Sequence, residues 1–127
     1  MGYNTHAFVS LDMLTRTNRL AKRKDFDTLF KRGKIVYGRH LQLRLLKTEA
    51  NAPLRLAIVI SAKTEKSAVR RNRAKRQTRE IVRLSMPKLR PGFDGAITIK
   101  GSFLPLSHAE KREQTLQLLQ KAGLIKS

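Results

Sequence analysis

Seven of the fourteen residues from Arg70 to Arg83 are basic, and Glu80 is the one acid among them. At helical spacing the segment Ala68 to Met86, which contains RRNRAKRQTRE, sets Arg73, Lys75, Arg76, Arg79 and Arg83 on one side and Ala74, Thr78, Ile81 and Leu84 on the other. Like charges one turn apart repel mildly, so a face of this kind calls for an anionic partner. Arginine forks match phosphate oxygens two at a time, and lysine adds a point charge. Asn72, set among them, suits a base edge, a ribose or the first turn of its own helix. The plainer alternative is a solvated basic face.

Other chemistries find little support. The chain has no cysteine, so thiolate nucleophiles, thiolate zinc sites and disulfides are excluded. His6, His40 and His108 are scattered, and the carboxylates Asp25, Asp27, Glu80, Glu110 and Glu113 do not form the close repeated set of a two-metal nuclease. No glycine-rich phosphate loop occurs. We expect no catalytic residue and no metal ligand in the protein itself. The 127 residues suffice for one domain, and 28 basic against 9 acidic side chains give 28 − 9 = +19. A folded body with that excess repels itself unless a polyanion offsets the repulsion. No apolar run is long enough for a bilayer, and no tryptophan is present to anchor an interfacial helix. Residues 1–15 lack a secretory pattern, so the expected setting is the cytoplasm. Nucleic acid leads over membrane, and no obligate protein partner is called for.

The elements that would position these residues follow from periodicity. Within KDFDTLFKRG, Phe26, Leu29 and Phe30 share a helical face, Asp25 and Asp27 open the helix, Lys31 and Arg32 close it, and Gly33 ends it. Phe26 and Phe30 are either core aromatics or the wall of a groove where an unpaired nucleotide stacks; Tyr37 is a further stacking candidate. From Ile35 to Lys47 the pattern turns to strand, with Leu41, Leu43 and Leu45 on one side and His40, Gln42 and Arg44 on the other as a possible groove floor. RLAIVIS, Arg55 to Ser61, is nearly all apolar and reads as a central strand. The long periodic helix spans Ala68 to Met86, with a break before Pro87. AITIK is a third strand. Ser107 and Glu110 form a capping box for a helix from His108 to about Ala122, with Leu116 and Leu119 facing inward. The coarse order α-β-β-α-β-α, with room for an additional short strand, makes an α+β class protein, a small single-domain α/β sandwich. Residues 1–15 show no clean period and read as a loosely held extension.

The stretch AVRRNRAKRQTRE resembles the arginine–asparagine–arginine signature of the bacterial ribonuclease P protein subunit. LTRTNRLAKRKDFDTLFKRG, GRHLQLRLL, RLAIVISAK, PGFDGAITIK and LSHAEKREQTLQLLQKAGL agree with the same family in order, from about Leu14 to Leu124. The resemblance implies a protein that assists a catalytic RNA in removing the 5′ leader from precursor tRNA. Magnesium would be bound mainly by the RNA and substrate. It also implies a left-handed β-α-β crossover around the basic helix, against the usual rule. The resemblance sets a boundary at 13, with 1–13 a flexible extension and 14–127 an RNA-binding domain. By matching position, Lys63, Arg70, Asn72, Arg73, Lys75, Arg76 and Arg79 would face the catalytic RNA. Phe26, Phe30, Tyr37 and Arg44 would line the leader site, Arg44 standing where an aromatic is common. A ribosomal or other structural RNA-binding protein shares the charge and fold class but needs no leader groove. A DNA-binding helix is a weaker third reading, and it would require base preference on duplex DNA.

Overall fold

The alternation in Leu41–Lys47 decides the architecture, because it gives the sheet two different faces. The computed structural model describes Leu20 and residues 22–126. Among these the order is α1 (Arg23–Arg32), β1 (Lys34–Tyr37), β2 (Leu41–Lys47), β3 (Arg55–Val59), α2 (Ala68–Ser85), β4 (Phe93–Ile99) and α3 (His108–Lys121). The extension expected at 1–13 lies outside the described residues. The additional short strand is present: the segment read as one strand from Ile35 to Lys47 is a hairpin, with Tyr37 opposite Gln42. The Gly38 N–H donates to the Leu41 carbonyl at 2.9 Å and closes the turn. Both arms carry the same period of two, so alternation alone does not reveal the reversal.

The strands lie in the order β1-β2-β4-β3; β2 runs antiparallel to β1 and β4, and β3 runs parallel to β4 through the crossover helix α2. β3 is therefore an edge strand, not the central strand its apolar run suggested. It is apolar because both its faces are covered. Leu56 and Ile58 share a core with Ala74 and Val82 of α2, while Ala57 and Val59 pack with Phe26 and Leu29 of α1. Leu20 meets its outer edge, donating its N–H to the Leu56 carbonyl at 3.3 Å.

One face of the sheet thus carries α2 and α3. Leu41, Leu43, Ile97 and Ile99 pack there against Leu118, Leu119 and Phe103. The capping box of α3 forms as expected, with the Ser107 hydroxyl accepting from Glu110 N–H and the Glu110 carboxylate accepting from Ser107 N–H. The inward residues of α3 are Lys111, Thr115, Leu118 and Leu119, so the buried stripe runs through Leu118, and Leu116 is half-buried.

Among the described residues α1 is the one helix on the opposite face, where Leu20 packs beside it. The last turn of α1, with Lys31 and Arg32, suits the helix dipole, whereas its first turn sets Arg23 and Lys24 ahead of Asp25, so the helix starts two residues before the acids expected to open it. Beyond Phe26 and Leu29, α1 is fastened by Arg55, whose guanidinium donates to both oxygens of Asp94 at 2.9 and 2.6 Å and to Asp25 of α1 at 3.1 Å. These bonds hold the Arg55 proton more tightly than usual, the Asp94 bond foremost. The Asp94 side chain is only 8% exposed, so removal of its partner strands a carboxylate with little water. We expect Arg55→Met to cost about 2 kcal/mol, below the range for fully buried pairs because Arg55 is part-exposed. Arg55→Met combined with Asp94→Leu should recover part of that loss in urea denaturation. Single and double variants of equal stability to the parent would show that the pair does not fasten α1.

Candidate nucleic-acid interface

The presentation of α2 depends on the connector before it. Ser61 accepts, through its carbonyl, the N–H groups of Thr64 and Glu65 at 3.1 and 3.2 Å, and its hydroxyl lies 3.0 Å from that of Thr64. This turn leaves Lys63 exposed. Ser67 caps α2 by accepting from Arg70 N–H at 3.3 Å, and Glu65 accepts from Ser67 N–H at 3.0 Å. Arg71 bends back from the first turn and donates to the carbonyls of Glu65 and Lys66 at 2.7 and 3.0 Å. It clamps the connector to the helix, a role that spacing along one helix gave no hint of. The capping role left open for Asn72 belongs to Ser67.

Arg70, Asn72, Arg73 and Arg76 are exposed along α2. Arg83 is also exposed but is paired with Glu80, which raises the proton affinity of the guanidinium and lowers that of the carboxyl. Lys75 and Arg79 differ from the expectation: they are 3% and 5% exposed. The buried arc of α2 runs through Ala74, Lys75, Thr78, Arg79, Ile81 and Val82; Ala74, Thr78 and Ile81 lie inside as expected, whereas Leu84 is 63% exposed. The arc is rotated toward Val82 and takes in Lys75 and Arg79, the Arg79 Nε–H donating to the Lys75 carbonyl at 3.4 Å. Burial first, then the neighbouring Arg79 and Arg71, make Lys75 easier to deprotonate than an ordinary lysine.

The second group of expected site residues lies across the sheet. Arg44 is opposite Ile35, and Gln42 opposite Tyr37, so Arg44, Gln42 and Tyr37 share the face that carries α1. The Arg44 guanidinium lies 4.7 Å from the centre of the Phe30 ring and donates to the Phe30 carbonyl at 3.1 Å. That approach needs Gly33, where a Cβ would sit 2.5 Å from the Leu29 carbonyl oxygen and 3.1 Å from Arg44 Cγ. Phe30 is half-exposed and Tyr37 is 59% exposed. Phe26 is not part of this surface: it is fully buried, with its ring stacked on that of Phe30 at 6.4 Å between centres. The same spacing that puts both rings on one helical face puts the earlier one over Ala57, Val59 and Ala96.

The described residues thus hold two separate surfaces for an anionic chain, arginine-rich on α2 and aromatic–basic beside α1. Among them no three histidine or carboxylate side chains gather where they could hold a metal ion. By fold and surface this is a small, strongly basic α+β domain of the kind that binds nucleic acid. The family model described as Ribonuclease P matches residues 14–123. The ribonuclease P protein component of Microcystis aeruginosa is 36% identical over 115 residues, covering 88% of this chain and 96% of the relative. That of Synechococcus elongatus is 38% identical, covering 88% and 95%. The ribonuclease P protein of Thermotoga maritima superposes with a TM-score of 0.73 at 31% identity, covering 81% of this chain and 96% of the other. That of Staphylococcus aureus reaches 0.78 at 22% identity, a likeness of fold, covering 87% and 100%. The chain belongs to the family of bacterial ribonuclease P protein subunits, which assist an RNA subunit in removing the 5′ leader from precursor tRNA.

Phe26→Ala should destabilise the fold by about 3–5 kcal/mol, as expected for a large buried aromatic, and reduce RNA binding of every kind through loss of folded protein. A normally stable Phe26→Ala chain with a selective defect toward leader-bearing substrate would return this ring to the surface.

Proposed function

We propose that the exposed α2 residues Arg70, Asn72, Arg73 and Arg76, with Lys63 before them, engage the catalytic RNA of ribonuclease P. Phe30, Arg44 and Tyr37, on the far face of the sheet, receive the unpaired 5′ leader of precursor tRNA. The observation that carries this reading is the separation itself: α2 and α1 lie on opposite faces of one sheet, each with its own exposed basic set. Arginines on a helix face suit a phosphate backbone, and an aromatic ring with a guanidinium over it suits a single-stranded base. Lys75 and Arg79 enter as supports, lying beneath the exposed arginines rather than among them.

The chain works as the protein subunit of an RNA-catalysed endoribonuclease. The magnesium ions of the reaction are assigned to the RNA and substrate, as membership of the family implies. Among the described residues no helix is long and apolar enough to cross a membrane, and the proposed setting is the cytoplasm.

The test is a reconstituted cleavage reaction. Adding the chain to the catalytic RNA at low magnesium should stimulate leader removal; no stimulation would favour a purely structural RNA-binding role. Arg73→Ala with Arg76→Ala should weaken assembly with the catalytic RNA and reduce the slope of log affinity against log salt by about two, one per lost phosphate contact. Phe30→Ala should weaken precursor binding by about 1–3 kcal/mol, the range for one stacked base, and leave mature tRNA binding unchanged. Equal losses on precursor and mature tRNA would refute the leader site.

A further inference from the structure

Lys111 of α3 is 8% exposed, yet no carboxylate lies within ion-pair distance of it among the described residues. Its ammonium donates to Gln77 Oε1 at 2.9 Å and sits 5.7 Å from the centre of the Phe103 ring. It opens onto a cleft of about 500 Å3 between α2 and α3, lined also by Arg70, Arg73, Gln77 and Glu65. Three cations therefore converge on one recess with a single acid. That acid is engaged: one Glu65 oxygen accepts from Ser67 N–H, and the other is 3.9 Å from Arg70. An ammonium has three N–H donors, and Gln77 with the ring face does not satisfy all of them. Burial, and then Arg73, make Lys111 easier to deprotonate than usual. An anion in the cleft would offset both effects, whereas leucine or methionine would fill this part of the core without either cost.

We propose that the cleft between α2 and α3 seats a phosphodiester of the catalytic RNA, with Lys111 a binding residue beside Arg70 and Arg73. The proposal rests on the reading that α2 faces that RNA, and it extends the contact from the exposed side of α2 round to its α3 flank. One RNA strand could then be held by the outer arginines and by this recess together. The recess is specific where the outer face is diffuse, because an amide and an aromatic ring fix the ammonium.

The test measures binding of the full chain to the catalytic RNA across a salt series. Lys111→Met should lower the slope of log affinity against log salt by about one, and Lys111→Arg should keep it. Gln77→Glu offers a second route that keeps the lysine: its carboxylate would occupy the ammonium, and affinity should fall about tenfold. An unchanged slope in Lys111→Met, or, where that variant does not fold, unchanged affinity in Gln77→Glu, would overturn the proposal. Arg76→Ala separates the two levels. If it lowers the slope and Lys111→Met does not, the cleft fails and the α2 reading stands; if neither does, both fail. Inorganic phosphate provides the last arm. A shift of the Lys111 Cε resonance on adding phosphate, together with an unchanged RNA salt slope in Lys111→Met, would make the cleft a free-phosphate site and overturn the RNA assignment.

Discussion

Nine carboxylates cannot answer 28 cations, and five of the described ones are already engaged within the fold. Asp25 and Asp94 hold Arg55 and so hold α1 to the sheet. Glu110 closes the cap of α3, Glu80 pairs with Arg83, and Glu65 accepts from the cap residue of α2. Four of these acids fasten one element to another or cap a helix, and Arg73 and Arg76 on the exposed side of α2 have no carboxylate within ion-pair distance among the described residues. The lowered proton affinities of Lys75 and Lys111, both buried beside other cations, are the local trace of that imbalance. A polyanion is the one class of partner that relieves all of it together, because each added phosphate answers a charge the chain cannot answer itself.

The sheet then acts as a spacer. Its α2 and α3 side rests on Leu41, Leu43, Ile97 and Ile99, and its α1 side on Ala57, Val59 and Ala96. The small residues on the second side let Phe26 lie close against the strands, and this sets Phe30 at the margin, where Arg44 reaches it. Rigid strands between two basic surfaces fix their separation. On the proposed reading, the catalytic RNA and the leader are held at a set distance by the sheet rather than by a flexible arm.

Much of this was legible in the sequence because it is local. The order of elements, the capping box at Ser107 and Glu110, the end of α1 at Gly33 and the basic character of α2 all depend on neighbours within one or two turns. What was not legible depends on contacts distant along the chain. Arg55 and Asp94 are 39 positions apart, and nothing in either segment names the other. RLAIVIS looked central because apolar runs record coverage of the two faces, and coverage does not distinguish an edge strand packed on both sides from a middle one. Lys75, Arg79 and Lys111 were hidden by their type, since a charged residue reads as exposed until the length of its stem is considered. Phe26 was misplaced for the opposite reason: helical spacing puts it beside Phe30 but does not say how deep each ring goes.

The arrangement also accounts for a protein whose contribution to a hydrolytic reaction is physical rather than chemical. A catalytic RNA and a precursor tRNA are both polyanions, and bringing them together opposes their charge. Cations must offset that cost, and dissolved magnesium is one supply. A folded domain of +19 is another, with the difference that its cations are tethered to a backbone that sets where on the molecule they sit. An arginine clamped to a helix can screen a phosphate without occupying the position of a reactive metal ion. The protein therefore needs no acid–base pair and no metal cage of its own to raise the rate of cleavage. It needs its charges held apart on two faces, and that is what the Arg55 joint, the clamp at Arg71 and the sheet between them provide.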